Sequence, residues 1–183
     1  MQLGIFVGGA SSRMGQPKGL LRFEGTTLLE RALSLASAMQ LEPVLVGDAS
    51  PYVGYAPHVR RCPDEVAGVG ALGGLLALLR SGAALVMACD MPLLQPAHLQ
   101  ALLDAPSALL ALSRSEAFYE PFPARCEPGL IEVIEGLLSR DRRSFQSLAR
   151  ALSPDRRVVV ELPREATLDW DQPSDVFDKR PER

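Results

Sequence analysis

Apolar runs and helical-period stripes alternate along most of the chain. Leu3–Val7 is a short apolar run and predicts a strand. Over Thr26–Gln40, Leu28, Ala32, Leu35 and Met39 form one stripe with Leu29, Leu33 and Ala36 beside it, the pattern of an amphipathic helix. Thr27 followed three residues later by Glu30 resembles a capping box at its start. Pro43–Gly47 predicts a second strand and Val59–Cys62 a short third one. Ala71–Arg80 reads as a helix and Ala83–Cys89 as a strand buried on both faces. Gln95–Leu103 reads as a helix with Pro96 in its first turn. Ala108–Ser113 is a further strand, and Tyr119–Cys126 another, placed at a sheet edge because Pro121 and Pro123 each lack an N–H. Helices are expected at Pro128–Leu138 and Ser144–Leu152, a strand at Arg157–Leu162, and a short helix at Pro173–Lys179 before a tail at 180–183.

This alternation predicts a mostly parallel sheet with helices on both faces. The length suits one domain over residues 1–183, with no repeat and no long linker. In such a sheet ligands bind beyond the carboxyl ends of the strands, where the strand order reverses. The loops after Val7, Gly47 and Cys89 should therefore share one cleft.

Composition narrows the function classes. Hydrophobic residues make up 47% and charged ones 22%, with a formal net charge of -3. That balance argues against a nucleic-acid surface, which carries a basic excess. It leaves room for a small anionic substrate held by a few local cations. Cys62, Cys89 and Cys126 are far apart and odd in number, which suits reduced thiols better than a disulfide or zinc framework. Cys89 ends an apolar run and reads as a packing residue. Met1 onward has no basic segment before the first strand, so no signal peptide is expected and a cytoplasmic location is. The apolar stretch 71–94 is broken by Arg80, Gly82 and Asp90, so no membrane span is expected.

The segment Val7-Gly8-Gly9-Ala10-Ser11-Ser12-Arg13-Met14-Gly15-Gln16-Pro17-Lys18-Gly19 carries the most chemistry. Glycines let backbone N–H groups turn toward an anion, and Arg13 and Lys18 add fixed charge. It is not a P-loop, because five residues separate Gly9 from Gly15 and no hydroxyl follows the lysine. The dinucleotide fingerprint is absent too. Further on, Val86-Met87-Ala88-Cys89-Asp90-Met91-Pro92 delivers one carboxylate at a strand end. Asp90 is placed either to hold Mg²⁺ at a nucleotide's phosphates or to accept N–H groups in its own turn.

Gly-Gly, Arg-Met-Gly and Lys-Gly in this order and spacing resemble the signature loop of the molybdenum cofactor guanylyltransferases. That family shows a similar strand–Asp–x–Pro segment, in which the aspartate binds magnesium. The resemblance extends more loosely to Cys62-Pro63-Asp64-Glu65 with Gly68–Gly74, where Ala71 replaces the usual proline. It also reaches Leu168–Val176, where Asp169, Asp171 and Gln172 replace the family's Asn, Asn and Thr. It implies a three-layer α/β/α, Rossmann-like nucleotidyltransferase fold, with a nucleotide half at 1–90 and an acceptor half at 91–176.

The implied reaction is transfer of GMP from GTP to the terminal phosphate of molybdopterin, releasing pyrophosphate. Arg13, Lys18 and Asp90 are then the catalytic set. Val7, Gly8, Gly9, Ala10, Lys18, Asp64 and Asp90 contact the nucleotide, and Mg²⁺ sits on Asp90 with Asp171, or else Asp169, as second contact. Asp64 suits guanine because a carboxylate accepts from both donors of its Watson–Crick edge, and Asp48 is an alternative. Gly8-Gly9 matches the guanine-using members, whereas cytidylyltransferases carry Ala-Gly. Phe6-Val7 replaces their usual Leu-Ala. Glu120–Arg125 is similar to the family's substrate-side strand. Arg140–Ser144 either binds the pterin phosphate or is a solvated loop. His58 and His98 are read as structural, since an ionised acceptor phosphate needs no general base. Implied partners are GTP and molybdopterin, with handover complexes to molybdopterin-synthesising proteins or apo-molybdoenzymes. A cytidylyltransferase, a sugar- or polyol-phosphate nucleotidyltransferase, and a nucleotide-binding accessory protein without turnover remain as alternatives.

Overall fold

A computed structural model describes residues 1–8, 16–66, 68–115 and 118–170. Seven strands form one sheet: β1 (Gln2–Phe6), β4 (Glu42–Val46), β5 (Arg60–Cys62), β6 (Ala84–Ala88), β7 (Leu110–Ser115), β8 (Phe118–Cys126) and β9 (Arg157–Val159). Their spatial order is β5-β4-β1-β6-β8-β7-β9. β1 lies parallel between β4 and β6, with Phe6 opposite Val46 on one side and Ala88 on the other. Only β8 runs against its neighbours. The chain passes from β1 outward to β4 and β5, then crosses back to lay β6 on the other side of β1. That reversal puts the switch point at the carboxyl ends of β1 and β6.

Residue alternation along the strands sorts two cores. Leu3, Ile5, Leu85 and Met87 face α1 (Leu28–Ala38) and α3 (Pro96–Asp104). Phe6, Val44, Ala84 and Val86 face α2 (Ala71–Leu79), α4 (Ile131–Leu138) and α5 (Phe145–Ala151). The expected three layers follow from this period of two. The Thr27 capping box is present: Glu30 N–H donates to Thr27 Oγ1 at 3.1 Å, and Thr27 N–H donates to Glu30 Oε2 at 2.7 Å. Among the described residues no helix is long and apolar enough to cross a membrane.

Three expectations need correction. The helix predicted from Thr26 begins at Leu28. Thr26–Thr27 (β3) instead pairs with Arg22–Phe23 (β2) in a two-residue hairpin, with Glu24 and Gly25 at φ 50° and 87°. The strand predicted over Arg157–Leu162 stops at Val159.

The third correction concerns β8, which is internal rather than an edge strand. Its bonded register to β6 covers only Ala124–Cys126, and its register to β7 shifts between Leu112 and Arg114. Pro121 and Pro123 fall where neither ladder asks them for an N–H, so a central strand tolerates both. The helix expected at Pro173–Lys179 lies outside the described residues.

Candidate active site

Each of three parallel strands hands its chain to the same end of the sheet, and the ladder continues one bond further. Val7 N–H donates to Val46 O at 3.0 Å, Cys89 N–H to Phe6 O at 3.0 Å, and Gly47 N–H to Cys62 O at 2.9 Å. Gly47 sits at φ 93°, and a Cβ there would lie 3.2 Å from the Gly8 backbone, so the two loops meet main chain to main chain. The result is the expected shared cleft, about 550 Å³, lined by Val7, Gly8, Lys18, Asp48, Asp64 and Asp90 among others.

Lys18 and Asp90 meet in this cleft although they are 72 residues apart. Lys18 Nζ donates to Asp90 Oδ2 at 2.6 Å, with the carboxylate side chain only 9% exposed. A charge-assisted bond of this length in a partly dry site holds the ammonium and the carboxylate of the predicted catalytic set together.

Lys18 is held from below. It opens a one-turn 3₁₀ helix, Lys18–Leu20, and Gly19 N–H donates to the Tyr52 hydroxyl at 3.2 Å. A Cβ on Gly19 would lie 2.8 Å from the Tyr52 ring. The Lys-Gly pair is therefore a packing requirement as well as a phosphate signal. Burial pushes the Tyr52 phenol up to about 12, so it stays protonated at neutral pH.

Asp90 is held from the side. Trp170 N–H donates to Asp90 O at 3.1 Å, and the fully buried Trp170 ring packs edge-on against Phe23 at 5.4 Å. Leu21, Phe23, Leu28 and Trp170 make one small cluster. Arg31 lies over the Phe23 ring at 4.8 Å and donates to Pro92 O at 3.1 Å. The arm that carries Lys18, the loop of Asp90 and the segment ending in Asp169 are thus fastened together. Tyr52, Arg31 and Trp170 escaped the sequence reading; a lone tryptophan beside the altered Asp169–Gln172 segment was the available signal.

The two carboxylates expected to meet the base differ. Asp48 accepts from Ser50 N–H at 3.0 Å and from the Ser50 hydroxyl at 2.6 Å, which together hold its carboxyl below the usual range. It is occupied with starting the turn at 50–52. Asp64 makes no hydrogen bond or ion pair with any described residue, and partial burial raises its pKa. Its Oδ1 points across the floor toward Gly47 and Gly74. Of the two, Asp64 is the carboxylate available to a ligand.

Other predicted residues fall elsewhere. Arg125 leaves the cleft: its guanidinium donates to Leu103 O and Ala105 O at 3.1 Å and to Pro106 O at 2.8 Å, capping the end of α3. Pro121 and Phe122 of the same strand do line the cleft. Cys89 is buried, which pushes its thiol up to about 12 and fits a packing role. His98 Nδ1 accepts from Gln95 N–H at 3.2 Å at the start of α3, a structural duty. Arg143 donates to Gly68 O at 3.2 Å and pairs with Asp141 at 2.6 Å, which ties the 140–144 loop to the turn before α2. Gly9, Ala10, Arg13 and Asp171 lie outside the described residues.

Among the described residues no three His, Cys, Asp or Glu side chains form a metal cluster. Asp90 and Asp169 nevertheless line one cleft. Mg²⁺ typically takes one or two carboxylates and completes its shell with water and substrate phosphates. This donor set fits such an ion.

The mixed α/β sheet carries its lysine–carboxylate pair at the switch point, where open sheets of this kind bind their ligands. The model of the MobA-like NTP transferase domain matches residues 4–160. A probable molybdenum cofactor guanylyltransferase of Opitutus terrae is 31% identical over 93% of this chain and 90% of its own. A molybdenum cofactor guanylyltransferase of Xanthomonas euvesicatoria is 32% identical over 87% and 84%. The chain belongs to the MobA-like NTP transferase family. Among solved structures, the molybdopterin-guanine dinucleotide biosynthesis protein A of Archaeoglobus fulgidus shares the fold with a TM-score of 0.79, at 21% identity over 96% of this chain and 95% of that one. A 2-C-methyl-D-erythritol 4-phosphate cytidylyltransferase of Thermus thermophilus shares it with a TM-score of 0.69 at 16% identity over 96% and 95%.

Proposed function

We propose that this protein transfers GMP from GTP to the terminal phosphate of molybdopterin, releasing pyrophosphate, with Mg²⁺ as cofactor. The observation that carries the reading is the Lys18–Asp90 pair at 2.6 Å, set where the ends of β1 and β6 meet. A site that only recognised a base would not need an ammonium and a carboxylate at the phosphate position. An accessory protein that bound the nucleotide's phosphates would use the same pair without releasing pyrophosphate, so pyrophosphate release separates the two.

The acceptor phosphate is already ionised, so positioning and charge neutralisation supply the rate. Lys18 is within reach of the nucleotide phosphates once its ammonium shifts from Asp90. The Tyr52-anchored turn fixes the backbone from which the side chain extends. The Gly8 backbone lets phosphates approach the end of β1 closely. Asp90, with Asp169 as second contact, would hold the Mg²⁺, which offsets charge on the phosphate oxygens.

Guanine is supported by Asp64. An ionised carboxylate accepts from guanine N1–H and N2–H, whereas cytosine would turn its N3 lone pair toward the same charge. Relatives named as guanylyltransferases support the same base.

Pyrophosphate release from GTP, measured with and without molybdopterin and with and without EDTA, tests the reading. Release that needs both acceptor and metal is expected. Acceptor-independent release, or full turnover in EDTA, would overturn it.

A further inference from the structure

The cleft has two unlike ends, and only one is accounted for by a nucleotide. Across its floor a methyl placed on Gly74 would lie 2.9 Å from Asp64 Oδ1 and 3.2 Å from the Phe6 ring. On the far side of Phe6 stands Phe122, its ring centroid 4.8 Å away and tilted by 43°. Phe145 backs Phe122 at 6.2 Å. The order across the site is thus Asp64, Phe6, Phe122, Phe145.

Strand order gives this sequence a meaning. Asp64 follows β5, beyond β4, while Phe122 belongs to β8, on the other side of β6. With strands about 4.8 Å apart, β4 and β8 are separated by roughly 14 Å. Asp90, at the end of β6, lies between them. A nucleotide whose base reaches Asp64 and whose phosphates reach Lys18 and Asp90 leaves the β8 side open. The second substrate must bring its phosphate to Asp90 from there.

We infer that Phe122, backed by Phe6, is the surface on which the flat pterin ring of the acceptor rests. The inference depends on the guanylyl-transfer reading above. Phe122 is only half-buried, although it packs against two aromatic rings, so part of it is turned to the cleft. A fused heterocycle gains from offset or edge contact with such a ring beyond simple burial. Pro121 beside it adds a rigid apolar shoulder, and its missing N–H leaves no unpaired donor facing the ring.

The test compares the wild type with Phe122→Leu, which keeps apolar volume and removes the ring, and with Phe122→Tyr, which restores a ring. Initial rates are read against molybdopterin at saturating GTP, then against GTP at saturating molybdopterin. Phe122→Leu should raise the acceptor KM about five- to tenfold, as loss of one aromatic contact implies, and leave the GTP KM within about twofold. Phe122→Tyr should return the acceptor KM to near the wild-type value. A raised GTP KM with an unmoved acceptor KM would seat guanine on the ring and overturn the inference, as would no change or an equal rise in both. A fluorescence titration with 6-hydroxymethylpterin reads the contact without turnover; equal affinity for wild type and Phe122→Leu overturns it. Wild-type protein that makes no guanine dinucleotide yet binds this pterin through Phe122 would sink the transfer reading and leave the ring contact standing.

Discussion

At the β1–β4 side of the cleft, Val7, Gly8, Gly47 and Asp48 each lie within two residues of a strand end, and a ladder bond carries the backbone past that end. At the β8 side, Pro121 and Phe122 lie inside a strand, where its ladders to both neighbours falter. One side presents main chain, glycine and carboxylate; the other presents rings. The difference matches two different demands. Phosphates and a polar base edge need backbone approach and charge, while a flat heterocycle needs apolar area. It also shows two ways to open a sheet to a ligand: stop the strands, or interrupt their bonding with proline.

The sharpest way to break this comparison is at the shared centre. Asp90→Asn should lower kcat about 10²–10³-fold, the scale seen when one preorganised electrostatic group is removed, with both substrates' KM values changed far less. Circular dichroism and melting should show the fold retained. Normal turnover would remove Asp90 from the mechanism. Next comes the base side alone. Asp64→Asn puts an amide donor against guanine's donors, so the preference for GTP over CTP in kcat/KM should fall about tenfold or more. An unchanged preference would detach Asp64 from base reading.

Smaller effects sharpen the picture. Tyr52→Phe removes one hydroxyl beneath Lys18, worth about 1 kcal/mol, and should lower kcat/KM about fivefold. A turnover equal to wild type would make the Tyr52–Gly19 bond dispensable. The smallest effect tests a residue assigned to structure. Burial lowers the His98 pKa, with Glu165 opposing, and its neutral Nδ1 accepts from Gln95 N–H. Its contribution is therefore full above the unfolded value near 6.5 and lost as pH falls through the lower folded value. His98→Gln keeps an acceptor at this position and cannot titrate. Between pH 7.5 and 5 it should lose less stability than the wild type, by about 1 kcal/mol at most. Parallel acid losses would refute this.

How much of this was written in the sequence depends on how local each feature is. Leu3–Val7, Ala83–Cys89 and the Thr27 cap are set by neighbours in the chain, and all three are found within a residue or two of their predicted bounds. The fold class followed from their alternation. So did the meeting of the three loops, because the switch-point rule converts strand order into a cleft. Long-range packing was invisible. Nothing near Tyr52 says that its hydroxyl will receive Gly19 N–H, and nothing near Trp170 says that its backbone will bond Asp90. Pro121 and Pro123 correctly signalled missing donors but not an edge, because two broken ladders accommodate that loss inside the sheet. The segment Glu120–Arg125 was expected on the substrate side as a whole; Pro121 and Phe122 line the cleft, while the carbonyl partners that hold Arg125 at the end of α3 were invisible in the sequence.

The most direct test of the central claim is a competition in one tube: Mg²⁺, molybdopterin, and equimolar GTP and CTP, with the dinucleotide identified by mass. The account predicts molybdopterin guanine dinucleotide, with one pyrophosphate released for each. A cytosine dinucleotide, or none from either nucleotide, would contradict it.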